Sequence, residues 1–333
     1  VFGAGYDPVP EDLDPAVVTG VNTTTGAITT STVGTVNRTM GRGIYVVNAL
    51  TGALVWRAGG TGSGATTENA GMIYAIPSDV TVIRNESGGP INRAYVGDTG
   101  GNVWRIDFKP DSAVVTPNLN LTTVTKLASV ADQSSAAGRR KFLFPPDVVG
   151  QDGFDAILIG SGDREHPFDS TVANRFYMFK DKGTDLAPIT GTTTCDPTIT
   201  EGSMPDAGDA CAPNPGDIPG MSDLTLNCIQ NPTSAACVGA GQTDVAALTA
   251  KLGSDRGWFI TLGSGEKVVG NAISIGGTTF FNTNQPSATA GGGTCGSNLG
   301  VGRQYQVATA DATATSDLNV GGGLTGADRS LIH

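Results

Sequence analysis

Short apolar runs separated by glycine and Asx turns recur along the chain. Ile44-Tyr45-Val46-Val47 leads through Asn48-Ala49-Leu50-Thr51-Gly52 into Ala53-Leu54-Val55-Trp56. Ala94-Tyr95-Val96-Gly97 leads through Asp98-Thr99-Gly100-Gly101 into Asn102-Val103-Trp104-Arg105-Ile106-Asp107. Ala156-Ile157-Leu158-Ile159-Gly160 is followed, after a longer turn, by Asn174-Arg175-Phe176-Tyr177-Met178-Phe179. Runs of this length, β-branched and aromatic and bounded by turn residues, predict β-hairpins. A fourth hairpin is expected from Trp258-Phe259-Ile260-Thr261-Leu262 through Val268 to Phe280-Phe281.

Trp56 and Trp104 lie 48 positions apart, close to the length of one four-stranded propeller blade. A single hairpin cannot bury its apolar face, so sheets stacked around an axis are the expected solution. The fold class that follows is all-β, a β-propeller with irregular blades, with residues 1–333 forming part of one such domain. An aromatic at the same place in each sheet reads as packing between blades; a stacking platform for a ligand at Trp56, Trp104 and Trp258 is the weaker alternative.

Between Lys182 and Ala250 the pattern breaks. Seven of the 18 prolines and four of the five cysteines fall there, so 182–250 reads as an insertion held by turns and covalent links, with little apolar burial of its own. Its end predicts one short helix, capped by Thr243, with Val245, Leu248 and Leu252 on one face and Gly253 ending it. Cys195, Cys211, Cys228 and Cys237 are the disulfide candidates, with Cys195–Cys211 and Cys228–Cys237 the local pairings; four cysteines allow three connectivities, and buried free thiols are the alternative.

Composition narrows the function classes. Glycine fills 48 of 333 positions without a three-residue period, which excludes collagen and favours turn-rich β structure. The 20 basic and 31 acidic residues give a net charge of −11 and a pI near 4.5; scattered cations on an acidic chain argue against a nucleic-acid partner. No apolar run approaches the roughly 18 residues of a membrane-spanning helix. There is no CxxC and there are only two histidines, so a zinc site is not expected. No secretion signal is visible at the start, which reads as a strand entered midway, and the chain reads as a segment of something longer.

Two segments invite chemical readings. Gly160-Ser161-Gly162-Asp163-Arg164-Glu165-His166-Pro167 gathers a histidine, two acids and an arginine. Residues this close along one turn do not usually form a Ser-His-Asp relay, and the favoured reading is structural, with Asp163 and Arg164 tying down backbone groups around His166. Gly97-Asp98-Thr99-Gly100-Gly101-Asn102 is glycine-rich, yet no lysine follows and strand residues do, so Asp98 is assigned to a hairpin turn and not to a phosphate loop.

The segments 41–56, 79–108, 160–169 with 174–181, and 257–269 together resemble the C-terminal domain of the PilY-type type IV pilus proteins, in order and approximate spacing, from about Gly3 to Tyr305. Gly-Asp-Arg-Glu-His-Pro (162–167) and Gly-Trp-x-Ile-x-Leu-x-x-Gly-Glu-Lys-Val-Val (257–269) are the specific motifs. The resemblance implies a modified, quinoprotein-like β-propeller belonging to a large secreted protein at or near the pilus tip. It also implies partnership with the minor pilins in assembly and retraction control, and roles in twitching, adhesion and surface sensing, without catalysis.

Family members often carry a calcium loop, D-x-D/N-x-D-G-x-x-D-R, before the hairpin matching 93–98. Here the ligand positions hold Arg84, Glu86, Gly88 and Asn92. Calcium takes 6–8 oxygens, several of them charged, so Glu86 and Asn92 make a degenerate site and an ordinary surface turn is expected. Two other classes remain in view. A quinone-dependent dehydrogenase shares such propellers but commonly needs a vicinal disulfide, and no two cysteines here are adjacent. A glycan-binding propeller is the third.

Overall fold

The computed structural model describes residues 1–6, 18–21, 28–30, 41–84, 91–108, 122–182, 198–201, 220–286 and 300–315. They form four successive sheets, mostly antiparallel, and one separate pair of short strands, Val18–Val21 with Ile28–Thr30. The first sheet orders Phe2–Gly3, Gly43–Val47, Leu54–Gly59 and Thr67–Glu68. The second holds Thr81–Arg84, Ile91–Gly97, Asn102–Asp107 and Thr123–Ser129, each paired with the next. The third runs Asp147–Gln151, Phe154–Gly160, Arg175–Asp181, Gly257–Thr261, with Ser222–Asp223 parallel on its edge. In the fourth, Thr278–Gln285 pairs with Lys267–Val268, Ile273–Ile275 and Val301–Ala308.

The alternation of side chains explains why the sheets stack. Ala94 and Val96 point toward the first sheet and join Ile44, Trp56, Ala58, Trp104 and Ile106 in one core. Their neighbour Tyr95 points the other way, into a core with Ile157, Ile159, Tyr177, Phe179 and Phe259 of the third sheet. In the third sheet Ala156 and Leu158 turn from Ile157 toward Phe281, Tyr305 and Val307 of the fourth. The central sheets are thus buried on both faces, which is why their strands read as continuous apolar runs instead of alternating ones. Each large side chain buried this way contributes roughly 1.5–3 kcal/mol. The result is a β-propeller-like stack of four blades; among the described residues no core joins the fourth sheet to the first.

All three tryptophans are fully buried. Each indole N–H finds a partner: Trp56 donates to Thr67 Oγ1 at 3.1 Å, Trp104 to Asp98 Oδ2 at 2.8 Å, and Trp258 to the Thr309 carbonyl at 3.0 Å.

The first three hairpins form with the expected strands. The fourth does not. Gly257–Thr261 pairs with Arg175–Asp181 in the third sheet, Phe176 facing Ile260 and Met178 facing Trp258, while Phe280 and Phe281 belong to the fourth. The strand that pairs with Arg175–Asp181 thus begins 76 positions after Asp181, at Gly257, with the edge strand Ser222–Asp223 between them in sequence. The expected partner strand, Thr278–Gln285, is instead paired with Lys267–Val268 and Ile273–Ile275 on one side and Val301–Ala308 on the other, which leaves Gly257–Thr261 to the apolar edge of Arg175–Asp181.

Several described residues of the segment between these strands reach the core. Ile199 bonds to both sides of the Leu127–Ser129 backbone and sits in the core between the second and third sheets; Met221, Leu224 and Leu252 are also buried. Its helix spans Val245–Ser254, and the cap is Asp244 rather than Thr243: the Asp244 carboxylate accepts the Ala247 N–H at 3.0 Å. The helix runs one residue past Gly253 and closes on Asp255. A second short helix, Ala235–Gly239, is capped by Ser234. Cys237 within it forms a disulfide with Cys228; Cys195 and Cys211 lie outside the described residues.

Candidate functional site

The strands bring charged residues together at the two opposite ends of the stack. At one end lie the turn after Gly97 and the long turn after Gly160. Asp98 is fully buried, and its Oδ1 accepts the N–H groups of Gly100 at 2.8 Å and Asn102 at 3.0 Å while its Oδ2 accepts Asn102 Nδ2 at 2.9 Å and the Trp104 indole. Burial pushes its carboxyl up, opposed by these donors. Gly101 takes a left-handed φ of 72°, and a Cβ on Gly100 would sit 2.2 Å from the Tyr74 ring. The glycines of this loop therefore serve a tight turn packed on an aromatic, with no phosphate needed to explain them.

In the second turn Asp163 is the organiser. Its Oδ1 accepts the Glu165 N–H and its Oδ2 takes Lys141 Nζ and His166 Nδ1, each at 2.9 Å. Burial alone would raise this carboxyl; the Lys141 hydrogen bond and charge, then His166 and the backbone, carry it below the ordinary range. Arg164 does not tie down backbone as expected. Its guanidinium lies 5.4 Å over the Phe144 ring, a cation–π contact that keeps its stem packed. Glu165 accepts the Tyr6 hydroxyl. Ser161 is fully buried, donating to Asn174 Oδ1 at 3.1 Å and accepting the Arg175 N–H, so its hydroxyl cannot meet a substrate as a nucleophile.

The two motifs specific to the PilY-type resemblance meet here. Lys267, of 257–269, is buried and donates to the carbonyls of Pro167 at 3.3 Å, Gly265 at 3.2 Å and Asp169. Burial lowers its ammonium pKa, opposed by Asp169 and Asp163. Asn174 Nδ2 donates to the Glu266 carbonyl at 3.0 Å, and a Cβ on Gly160 would lie 2.3 Å from Val268. Glu266 is itself buried, accepting from Thr283 at 2.5 Å, Tyr305 at 3.0 Å and the Gly263 N–H.

At the opposite end an ionic network joins the second and third sheets. Arg93 reaches Asp107 at 3.1 Å and Asp155 at 2.9 Å; Arg105 reaches Asp107 at 2.8 Å and Asp181 at 2.9 Å; Tyr95 donates to Asp181 at 2.7 Å. Burial followed by the Asp181 charge pushes the Tyr95 phenol far up. Burial also raises Asp155, opposed by Arg93. Sequence reading missed this network. Its signal was present: each of these hairpins carries charges at the same end of otherwise apolar strands.

Of the calcium-loop positions, Asn92 lies at this end, beside Arg93 in the strand Ile91–Gly97. Glu86 lies outside the described residues. Asn92 Oδ1 is buried with no hydrogen-bond partner. The nearby carboxylates are engaged by arginines, and among the described residues no group of three or more His, Cys, Asp or Glu is placed to hold a metal ion. In the sequence the ligand positions Arg84, Glu86, Gly88 and Asn92 supply one carboxylate, few for an ion that takes 6–8 oxygens, several of them charged.

No protein-family model and no curated protein sequence matches the chain. A solved structure does: the crystal structure of the Pseudomonas aeruginosa PilY1 C-terminal domain, with a TM-score of 0.54 and 17% identity over 90% of this chain. The chain spans 61% of that structure's length. At this identity the likeness is one of fold: the stack of blades is similar to that of the PilY1 C-terminal domain.

Proposed function

We propose that this chain is the pilus-facing propeller part of a type IV pilus tip-associated protein, working with minor pilins in assembly and retraction control and not by catalysis. The observation that carries the reading is the superposition of nine-tenths of the chain on the PilY1 C-terminal domain. The contact of residues 160–169 with 257–269 adds support, since the two most family-specific segments act as one unit held by Lys267. The Cys228–Cys237 disulfide agrees with an oxidising, extracellular location. Its cysteines are nine positions apart, unlike the vicinal pair of quinone-dependent dehydrogenases. The burial of all three tryptophans removes the aromatic platform that a glycan reader would draw on.

Calcium control is not part of the proposal, because the Asn92 region offers too few charged oxygens. The test of the function is deletion of residues 1–333 from the protein in its own cell. Surface pili and twitching should both fall, and restoring the segment should restore both. Unchanged pili and twitching would overturn the reading.

A further inference from the structure

The loop 164–171 is exposed throughout, yet its backbone is fixed from below. Lys267 is only 4% exposed and directs its ammonium at the carbonyls of Pro167, Asp169 and Gly265. A buried ammonium is costly, and its protonated form is disfavoured here by that burial. Asp163 holds the Glu165 and His166 N–H groups, and Asp169 accepts the Thr171 N–H at 2.8 Å. At the tip of this fixed loop stands Phe168, 64% exposed, directly after Pro167. Scattered exposed apolar residues are ordinary. An aromatic ring on a loop whose shape is secured by a buried lysine is different, because ordering a loop in advance removes an entropic cost of binding.

The charges around Phe168 are sorted. Lys141 and Lys267 are buried and Arg164 folds back over Phe144, while the Glu165 and Asp169 carboxylates lie on the exposed loop. Hydrogen bonds from Thr171 keep Asp169 ionised, its carboxyl held below the ordinary range. The loop's exposed charges are thus one cation, Arg164, held over Phe144, and two carboxylates, a formal balance that is net acidic with His166 neutral.

We infer that residues 164–171 form a preorganised docking knob, in which Phe168 inserts into an apolar cleft of a protein partner whose rim is basic. The ring supplies the buried anchor and the two carboxylates supply orientation and salt-dependent attraction. The inference rests on the loop alone and holds whether or not the partner is a pilus subunit.

The test places the photo-cross-linker p-benzoylphenylalanine at position 168 of the full-length protein in its own cell, with the same group at Ile275, another exposed apolar position at 68%, as control. One discrete protein adduct is expected at 168 and not at 275, mapping to an apolar cleft bordered by lysine or arginine. With that partner purified, Phe168→Ser should weaken binding about 30-fold at unchanged melting temperature, Phe168→Trp should largely preserve it, and added salt should weaken the parent complex. No adduct above the Ile275 control, capture of lipid or of a second copy of this chain, or unchanged affinity in Phe168→Ser would each overturn the inference. Loss of binding in Phe168→Ser with normal pili would support the knob and show that its partner is not needed for pilus assembly; the pilus reading is tested separately by the deletion of residues 1–333.

Discussion

Trp104 Nε1 donates to Asp98 Oδ2 at 2.8 Å, and neither side chain is reached by solvent. One carboxylate thus closes the 98–102 turn and satisfies the indole that packs between the first two sheets. Asp98→Ala would leave the Trp104 indole and the Gly100 and Asn102 N–H groups buried without partners, at about 3 kcal/mol or more. The pH dependence has a definite sign. The folded-state pKa of Asp98 is raised above its unfolded value of 3.8, so the folded protein holds a proton that the unfolded chain releases, and this term weakens stability as pH rises between those two values. Urea unfolding from pH 3 to 8 should show that decline in the parent relative to Asp98→Asn, which lacks the titrating group.

Asp163 titrates with the opposite sign. Its pKa is lowered in the folded protein by Lys141 and His166, against burial, so its contribution is present above 3.8 and is lost as pH falls toward the folded value. Asp163→Asn should cost about 2 kcal/mol at neutral pH, because Lys141 is left buried without its carboxylate, and the difference from the parent should vanish in acid. Pilus function should fall only as far as stability does. An inactive Asp163→Asn protein of unchanged melting temperature would show that the turn carries a chemical role.

Much of the fold was legible because the sheets are built from local hairpins. The Gly97–Asn102 and Gly160–Asn174 connections join strands that do pair, and the burial of three tryptophans follows from their repeated placement. The exception was a strand whose partner is distant in sequence. Trp258–Ile260 has the apolar character of a central strand, but that character does not say whether it pairs with Arg175–Asp181 or with Phe280. The site was legible as a turn and not as a support. The motif 162–167 marked Asp163 and His166, while the buried Lys267 beneath them lies about 100 residues on and needs tertiary contact to be seen. The Arg93, Arg105 and Asp181 network left a signal, charges at one end of each hairpin, but its pairings join different sheets and need tertiary contact to be assigned. Thr243 lost the helix cap to Asp244 because adjacent residues of similar capping chemistry differ only in backbone angle, and Asp244 is extended there.

The disulfide between Cys228 and Cys237 closes a loop of nine positions. In the chain-entropy account, opening a loop of that size costs about 2–3 kcal/mol. Denatured, unreduced protein should show no more than three free thiols of the five cysteines, and Cys228→Ser with Cys237→Ser should lower the melting temperature. Five free thiols would contradict the pairing.

Calcium should bind weakly. Calorimetric titration into chelator-treated protein is expected to give no tight site, and Glu86→Ala should leave the trace unchanged, since Glu86 is the one carboxylate among the ligand positions Arg84, Glu86, Gly88 and Asn92. Tight binding that disappears in Glu86→Ala would assign a calcium role to residues 84–92.

The central claim is placement on a pilus, and electron cryo-tomography of intact cells with a gold-labelled tag on this chain tests it most directly. The account predicts label concentrated at the distal ends of pilus filaments. Label spread over the cell envelope with bare filament ends, in cells that still make pili, would contradict it.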